Sequence, residues 1–167
     1  MLGGCAGTGK TFLALHLALR EVCDGTKNKV IVLRSAVPTR DIGFLPGNAA
    51  EKLSAYEGPY APLVNSLFGR DDAYGILQQH KAISFDSTSF LRGTTLDNCV
   101  VVVDEVQNCN LHEINTIMTR VGENCRVIIC GDGKQSDLKG GSATVNFVCN
   151  MAKSAPLTEF LGVVQFG

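Results

Sequence analysis

The chain lacks a dominant sign of charge: 15 Lys and Arg stand against 16 Asp and Glu over 167 residues, for a formal net charge of −1. No strong uniform field is available to gather nucleic acid or an anionic membrane surface, so partners have to be read from sites. The most basic stretch, Arg20 to Arg40, also holds Glu21 and Asp24 and runs into Asp41, which gives only weak support for a polyanion. No apolar run approaches the roughly 20 residues that a membrane-crossing helix needs, and no signal-peptide pattern opens the chain. No membrane partner is expected. The 7 cysteines include no C-x-x-C pair and no Cys/His cluster of zinc spacing. An odd count of thiols on apolar segments suits small buried fillers in a reducing cytosol. His16, His80 and His112 stand one to a segment and form no catalytic or metal pattern. Internal repeats and low-complexity linkers are also missing, and the length fits a single domain over 1–167.

What is present is sharper. Gly4-Cys5-Ala6-Gly7-Thr8-Gly9-Lys10-Thr11 is a G-x-x-x-x-G-K-[ST] phosphate loop. Its glycines let successive backbone N–H groups turn toward one concave point, where Cβ atoms would obstruct a phosphate. Lys10 is positioned to reach the β- and γ-phosphates, and Thr11 offers its hydroxyl to Mg²⁺. In the helix that follows, Leu13, Leu17, Ala14 and Ala18 recur at helical spacing, so the positive end of its dipole is expected to face the bound anion.

A second motif, Cys99-Val100-Val101-Val102-Val103-Asp104-Glu105, is a β-branched run ending in two carboxylates. Such a run reads as a parallel strand buried on both faces, delivering its last residues to the carboxyl edge of the sheet, where open α/β sheets bind ligands. Asp104 is expected to hold Mg²⁺ through its water shell, and Glu105 to orient or deprotonate the attacking water.

Between and beyond these motifs strands and helices alternate. Helix is predicted from Lys10 to about Cys23, strand over Lys29 to Arg34, and loose helix over Glu51 to Phe68, interrupted at Gly58-Pro59. A short helix over Ala73 to Gln79 precedes a weaker strand, Lys81 to Phe85. After the carboxylate strand come a helix carrying Leu111, Ile114, Ile117 and Met118 behind an Asn110 cap, a strand over Cys125 to Cys130, a helix over 142–153 and a last strand over Gly162 to Phe166. This order implies an α/β fold with a mainly parallel sheet and helices on both faces. Only Met1-Leu2-Gly3 precede Gly4, so the strand that normally holds a phosphate loop is expected to be missing, leaving an unpaired gap. The expectation is a chain cut short at both ends.

The phosphate loop, Arg34-Ser-Ala-Val37, Gly43-Phe-Leu-Pro-Gly47, Phe90-Leu-Arg-Gly93, Val103-Asp-Glu-Val-Gln-Asn108 and Gly131-Asp-Gly-Lys-Gln135 occur in the order and spacing of PhoH-like proteins, which the chain resembles over almost its whole length. It looks most like the single-domain version encoded by tailed bacteriophages. That resemblance implies a RecA-like P-loop NTPase related to the first core of superfamily-1 helicases, with ATP and Mg²⁺ as ligands, ATP hydrolysis as the activity, and single-stranded RNA or DNA as a partner to be remodelled. The cytoplasmic setting expected from the thiols and from the missing membrane and signal patterns becomes the host cytoplasm if the protein is phage-encoded. Nothing matches the PIN-type nuclease domain that accompanies some members. Where the family commonly has Arg-Pro-Ala-Val, this chain has Ser35 in place of Pro, and the arginine-bearing segment that usually follows is not in the sequence. A transition-state arginine is therefore not assigned. Single-core relatives complete their sites by ring assembly, which implies a homo-oligomer.

The same resemblance gives Gln135 the catalytic role of sensing the γ-phosphate, beside Lys10 and Glu105, because its amide both donates and accepts hydrogen bonds. Gln107 either bonds the attacking water or caps the next segment. Arg92 and Arg34 stand equally between phosphate or nucleic-acid contacts and ordinary structural roles, and Phe44 fits a core plug better than a base-stacking platform. Gly131 to Lys134 only echoes a phosphate loop, since position 128 is Ile where the first glycine belongs. Two alternatives stay open: a thymidine-kinase-like phosphotransferase, which shares the loop and Asp-Glu-x-Gln but usually carries a C-x-x-C ribbon, and a nucleotide-binding fragment without turnover.

Overall fold

The computed structural model describes residues 1–35, 54–88, 91, 93, 95–132, 141–154 and 158–166. Within them lie β1 (Leu2–Gly3), α1 (Lys10–Cys23), β2 (Lys29–Arg34), α2 (Tyr60–Phe68), α3 (Ala73–Gln79), β3 (Ile83–Ser87), β4 (Cys99–Asp104), α4 (Leu111–Met118), β5 (Arg126–Gly131), α5 (Gly141–Lys153) and β6 (Val164–Gln165). A 3₁₀ turn, Val106–Asn108, follows β4. The six strands form one sheet in the order β3-β2-β4-β5-β1-β6, parallel at each pairing. This is an α/β fold consistent with a RecA-like P-loop NTPase.

The four consecutive valines of β4 explain its central place. All of Val100 to Val103 are fully buried, and alternation sends them to opposite faces. Val100 and Val102 join Val30 and Val32 against Ala14, Leu15, Ala18 and Leu19 of α1 and Tyr60 and Val64 of α2. Val101 and Val103 join Ile31 and Leu33 against Ile114 and Ile117 of α4 and Val145 and Val148 of α5. Each such side chain contributes about 1.5–3 kcal/mol of burial. A strand covered on both faces gains this twice per pleat, which is why it reads as a continuous run.

Four expectations change. The slot beside β5 is filled, because Leu2 and Gly3 pair with Cys130 and Gly131 on one side and with Val164 and Gln165 on the other. The phosphate loop therefore leaves a strand paired on both sides, between β5 and β6. Strand β3 starts two positions later than expected, because the backbone N–H groups of Lys81 and Ala82 close α3 on Gln78 and Leu77. On α1 the buried stripe is Ala14, Leu15, Ala18 and Leu19, while Leu17 is 39% exposed. The cysteines divide: Cys99, Cys109 and Cys130 are buried, but Cys5 and Cys23 are exposed. Among the described residues no helix is long and apolar enough to cross a membrane.

Candidate functional site

The loop from Gly4 to Thr11 leaves the carboxyl end of β1 and runs into α1. Gly7 and Gly9 take φ of 77° and 80°, left-handed values that an L side chain resists, and Gly9 is the N-cap of α1. No side chain caps this helix end. Its first N–H groups are thus left for an anion. Lys10 folds back over the loop: Nζ donates to the carbonyls of Gly4 at 2.9 Å and Cys5 at 2.7 Å, and to Thr8 Oγ1 at 3.4 Å. An incoming phosphate would take over an ammonium already directed into the loop.

Register brings the second motif to the same edge. Asp104 ends β4 opposite Arg34 at the end of β2. Thr11 Oγ1 donates to Asp104 Oδ1 at 2.9 Å, and Tyr60 Oη donates to Asp104 Oδ2 at 2.9 Å. Asp104 is 5% and Tyr60 1% exposed. A carboxylate this buried survives because both oxygens accept hydrogen bonds. Burial first, then the Asp104 charge, pushes the Tyr60 hydroxyl well above its ordinary range, so it stays a donor. The Arg34 guanidinium lies 5.5 Å from the centre of the Tyr56 ring.

Glu105 follows with φ 53° and ψ 45°, a left-handed conformation that costs a non-glycine residue of order 1 kcal/mol and recurs at functional sites. Burial, and next the Asp104 carboxylate, raise its carboxyl above the ordinary value, against the opposing pull of Arg34, the Gln107 amide and Lys10. Gln107 is buried at 4% exposure. Its Nε2 donates to Glu105 Oε2, and its Oε1 accepts from the backbone N–H of Asp132 at 3.0 Å. The expected cap on α4 is present as a full capping box: Asn110 Oδ1 accepts from Glu113 N, and Glu113 Oε2 from Asn110 N. Glu113 Oε1 also accepts from the hydroxyls of Ser35 and Thr88, tying the ends of β2 and β3 to α4.

Of the residues singled out in the sequence, the loop Gly4 to Thr11, Arg34, Asp104, Glu105 and Gln107 converge on one edge of the sheet. Gln135, Arg92, Phe44 and the Gly43 to Gly47 block lie outside the described residues. His16, His80 and His112 are exposed and separate. Tyr60 and Glu113 carry no motif; the pairing of Glu113 with Asn110 at capping-box spacing was the one legible signal. Among the described residues no group of three or more His, Cys, Asp and Glu side chains is gathered around a metal position.

The sequence profile of the family described as "PhoH-like protein" matches residues 1–165. The chain is 38% identical to "Protein PhoH2" of Bacillus subtilis (strain 168) over 141 residues, covering 80% of this chain and 31% of that protein. It is 35% identical to a "PhoH-like protein" of the same organism over 139 residues, 83% of this chain and 43% of the relative. Against "Protein PhoH" of Escherichia coli (strain K12) it is 34% identical over 170 residues, 98% of this chain and 46% of that protein. The chain thus spans less than half the length of these relatives.

Proposed function

The chain belongs to the PhoH-like protein family, a family of ATP-binding P-loop proteins, and from that premise we propose that it hydrolyses ATP with Mg²⁺ at the edge formed by Gly4 to Thr11, Asp104 and Glu105. The observation that supports this most is the 2.9 Å bond from Thr11 to Asp104, because it joins two motifs far apart in sequence at one point. The donor pair there is a hydroxyl and a carboxylate. Such hard oxygens suit Mg²⁺, which takes one or two protein ligands and fills its shell with phosphate oxygens and water. Bound there, the ion supplies neutralisation of charge on the phosphates.

The chain's own residues do the rest. Backbone N–H groups of the loop and of the start of α1 hold the phosphates, and Lys10 exchanges its contacts with Gly4 and Cys5 for the β- and γ-oxygens. Glu105 accepts a proton from water as that water's oxygen bonds the γ-phosphorus and the bond to the β-bridging oxygen breaks, giving ADP and phosphate. Its raised carboxyl favours proton acceptance. Gln135 belongs to the same reading as γ-phosphate sensor, as do coupling to single-stranded RNA or DNA, homo-oligomer assembly and a cytoplasmic setting. All but the last of these finer points rest on the resemblance.

The test is phosphate release from ATP with and without Mg²⁺, by the chain and by Lys10→Ala. Release that needs the ion and falls at least about 100-fold in the variant is expected. Release indifferent to Lys10 would remove the reading.

A further inference from the structure

We infer that Gln107 is a positioning residue that fixes the Glu105 carboxylate relative to the end of β5, and so sets where the proton of the attacking water is received. The inference rests on the hydrolytic reading above. Glu105 follows the last paired residue of β4, in a left-handed conformation at φ 53°, so the strand ladder does not hold its side chain. Support comes from the side. The Gln107 amide donates through Nε2 to Glu105 Oε2 and accepts through Oε1 from the Asp132 N–H at 3.0 Å. Only one orientation of the amide satisfies both. Turned over, it would set NH₂ against N–H and oxygen against carboxylate.

The turn that carries Gln107 is itself clamped. Asn108 N–H donates to the Glu105 carbonyl at 2.8 Å, Cys109 N–H to the Val106 carbonyl at 3.0 Å, and the Thr144 hydroxyl of α5 to the Cys109 carbonyl at 2.9 Å. Close approach to β5 depends on residue 131 having no side chain. A Cβ at Gly131 would stand 2.4 Å from Val106 Cγ1 and 3.2 Å from Gln107 Oε1. The bridge from Glu105 through Gln107 to the β5 backbone is therefore built into the packing of the turn. Both roles read for Gln107 in the sequence, bonding the attacking water or capping the next segment, are joined by this third one, which uses one N–H and one lone pair of the amide.

The experiment measures turnover and the affinity for a fluorescent ATP analogue in the chain, Gln107→Met, Gln107→Glu, Glu105→Gln and the Gln107→Met/Glu105→Gln double variant. In Gln107→Met, kcat is expected to fall about 10- to 100-fold while nucleotide affinity stays within about threefold. In the Glu105→Gln background the same change should alter residual turnover less than about twofold, since the carboxylate it positions is gone. Gln107→Glu keeps an acceptor for Asp132 but sets a second buried carboxylate against Glu105, so it should lose turnover and lower the thermal midpoint at neutral pH, with nucleotide affinity held within about threefold. It carries the test if Gln107→Met does not fold. Additive losses in the double variant, or equal losses of affinity and turnover, would overturn the positioning role. A parent chain that binds Mg²⁺ and ATP without releasing phosphate would instead overturn the hydrolytic reading, and this inference with it.

Discussion

Tyr60 places its hydroxyl 2.9 Å from Asp104 Oδ2 while its ring packs on Phe85 with centroids 5.3 Å apart. One side chain thus belongs both to the α1–α2 side of the core and to the sheet edge where Asp104 meets Thr11. Tyr60→Phe keeps the ring and removes the donor, leaving one oxygen of a buried carboxylate without that partner. A hydrogen bond to a charged group contributes about 1.5–3 kcal/mol, and that is the expected loss in urea unfolding. A loss under about 0.5 kcal/mol would mean that Asp104 finds an equivalent donor elsewhere.

Glu105 should cost the folded chain stability at neutral pH. Its carboxyl is raised first by burial and then by Asp104, so the folded chain binds the proton more readily than the unfolded chain does. The charged form therefore costs stability above the unfolded value, and the cost vanishes below it, where both states are protonated. Glu105→Gln is expected to raise the thermal midpoint at neutral pH, with a gain that shrinks toward roughly pH 4. A gain that grew on acidification would contradict the raised carboxyl.

The thiols should separate into classes under alkylation. Cys5 and Cys23 are exposed; Cys109 is buried, and burial followed by the Glu113 charge pushes its thiol up to about 12. Labelling of Cys5 and Cys23 is expected to run at least about tenfold faster than labelling of Cys99, Cys109 and Cys130, read by mass spectrometry of peptides. Cys5 lies in the phosphate loop, so ATP with Mg²⁺ should protect it and leave Cys23 unaffected. Equal protection of both would point to a general tightening of the chain and away from occupancy of the loop.

What could be read ahead of the structure follows from how local the cause is. The β4 valines, the bounds of α1 and β2 and the phosphate loop are written in contiguous residues, where propensity, burial and turn chemistry agree. Strand β3 slipped because Lys81 and Ala82 are used to finish α3, a competition between two elements that periodicity does not register. Leu17, which marked the helical spacing, lies off the buried face of α1, because two adjacent pairs, Ala14-Leu15 and Ala18-Leu19, fill that face. At the candidate site, the meeting of Thr11 with Asp104 was legible because both lie in short motifs of fixed residue type and spacing. Tyr60 was not, since it reaches Asp104 from 44 positions away and only packing brings it there. Resemblance added Gln135, Arg92 and Phe44, all outside the described residues.

Glu113 offers a sharper test of how the sheet edge is held. As the partner of Asn110 it is half of a capping box, and removing Asn110 should cost about 1 kcal/mol, the ordinary worth of a cap. But Glu113 also accepts from Ser35 and Thr88, each 3% exposed. Its loss leaves two buried hydroxyls without that acceptor, at about 1–3 kcal/mol each before they find other partners. Glu113→Ala is therefore expected to destabilise the chain by at least about 2 kcal/mol more than Asn110→Ala in urea unfolding. Because Ser35 follows Arg34 directly, the same variant should also loosen the end of β2 that stands opposite Asp104. Faster amide exchange at Arg34 and Ser35 in Glu113→Ala, but not in Asn110→Ala, is the expected signature. Equal costs and equal exchange in the two variants would reduce Glu113 to a helix cap and leave the β2 edge to be held by its ladder alone.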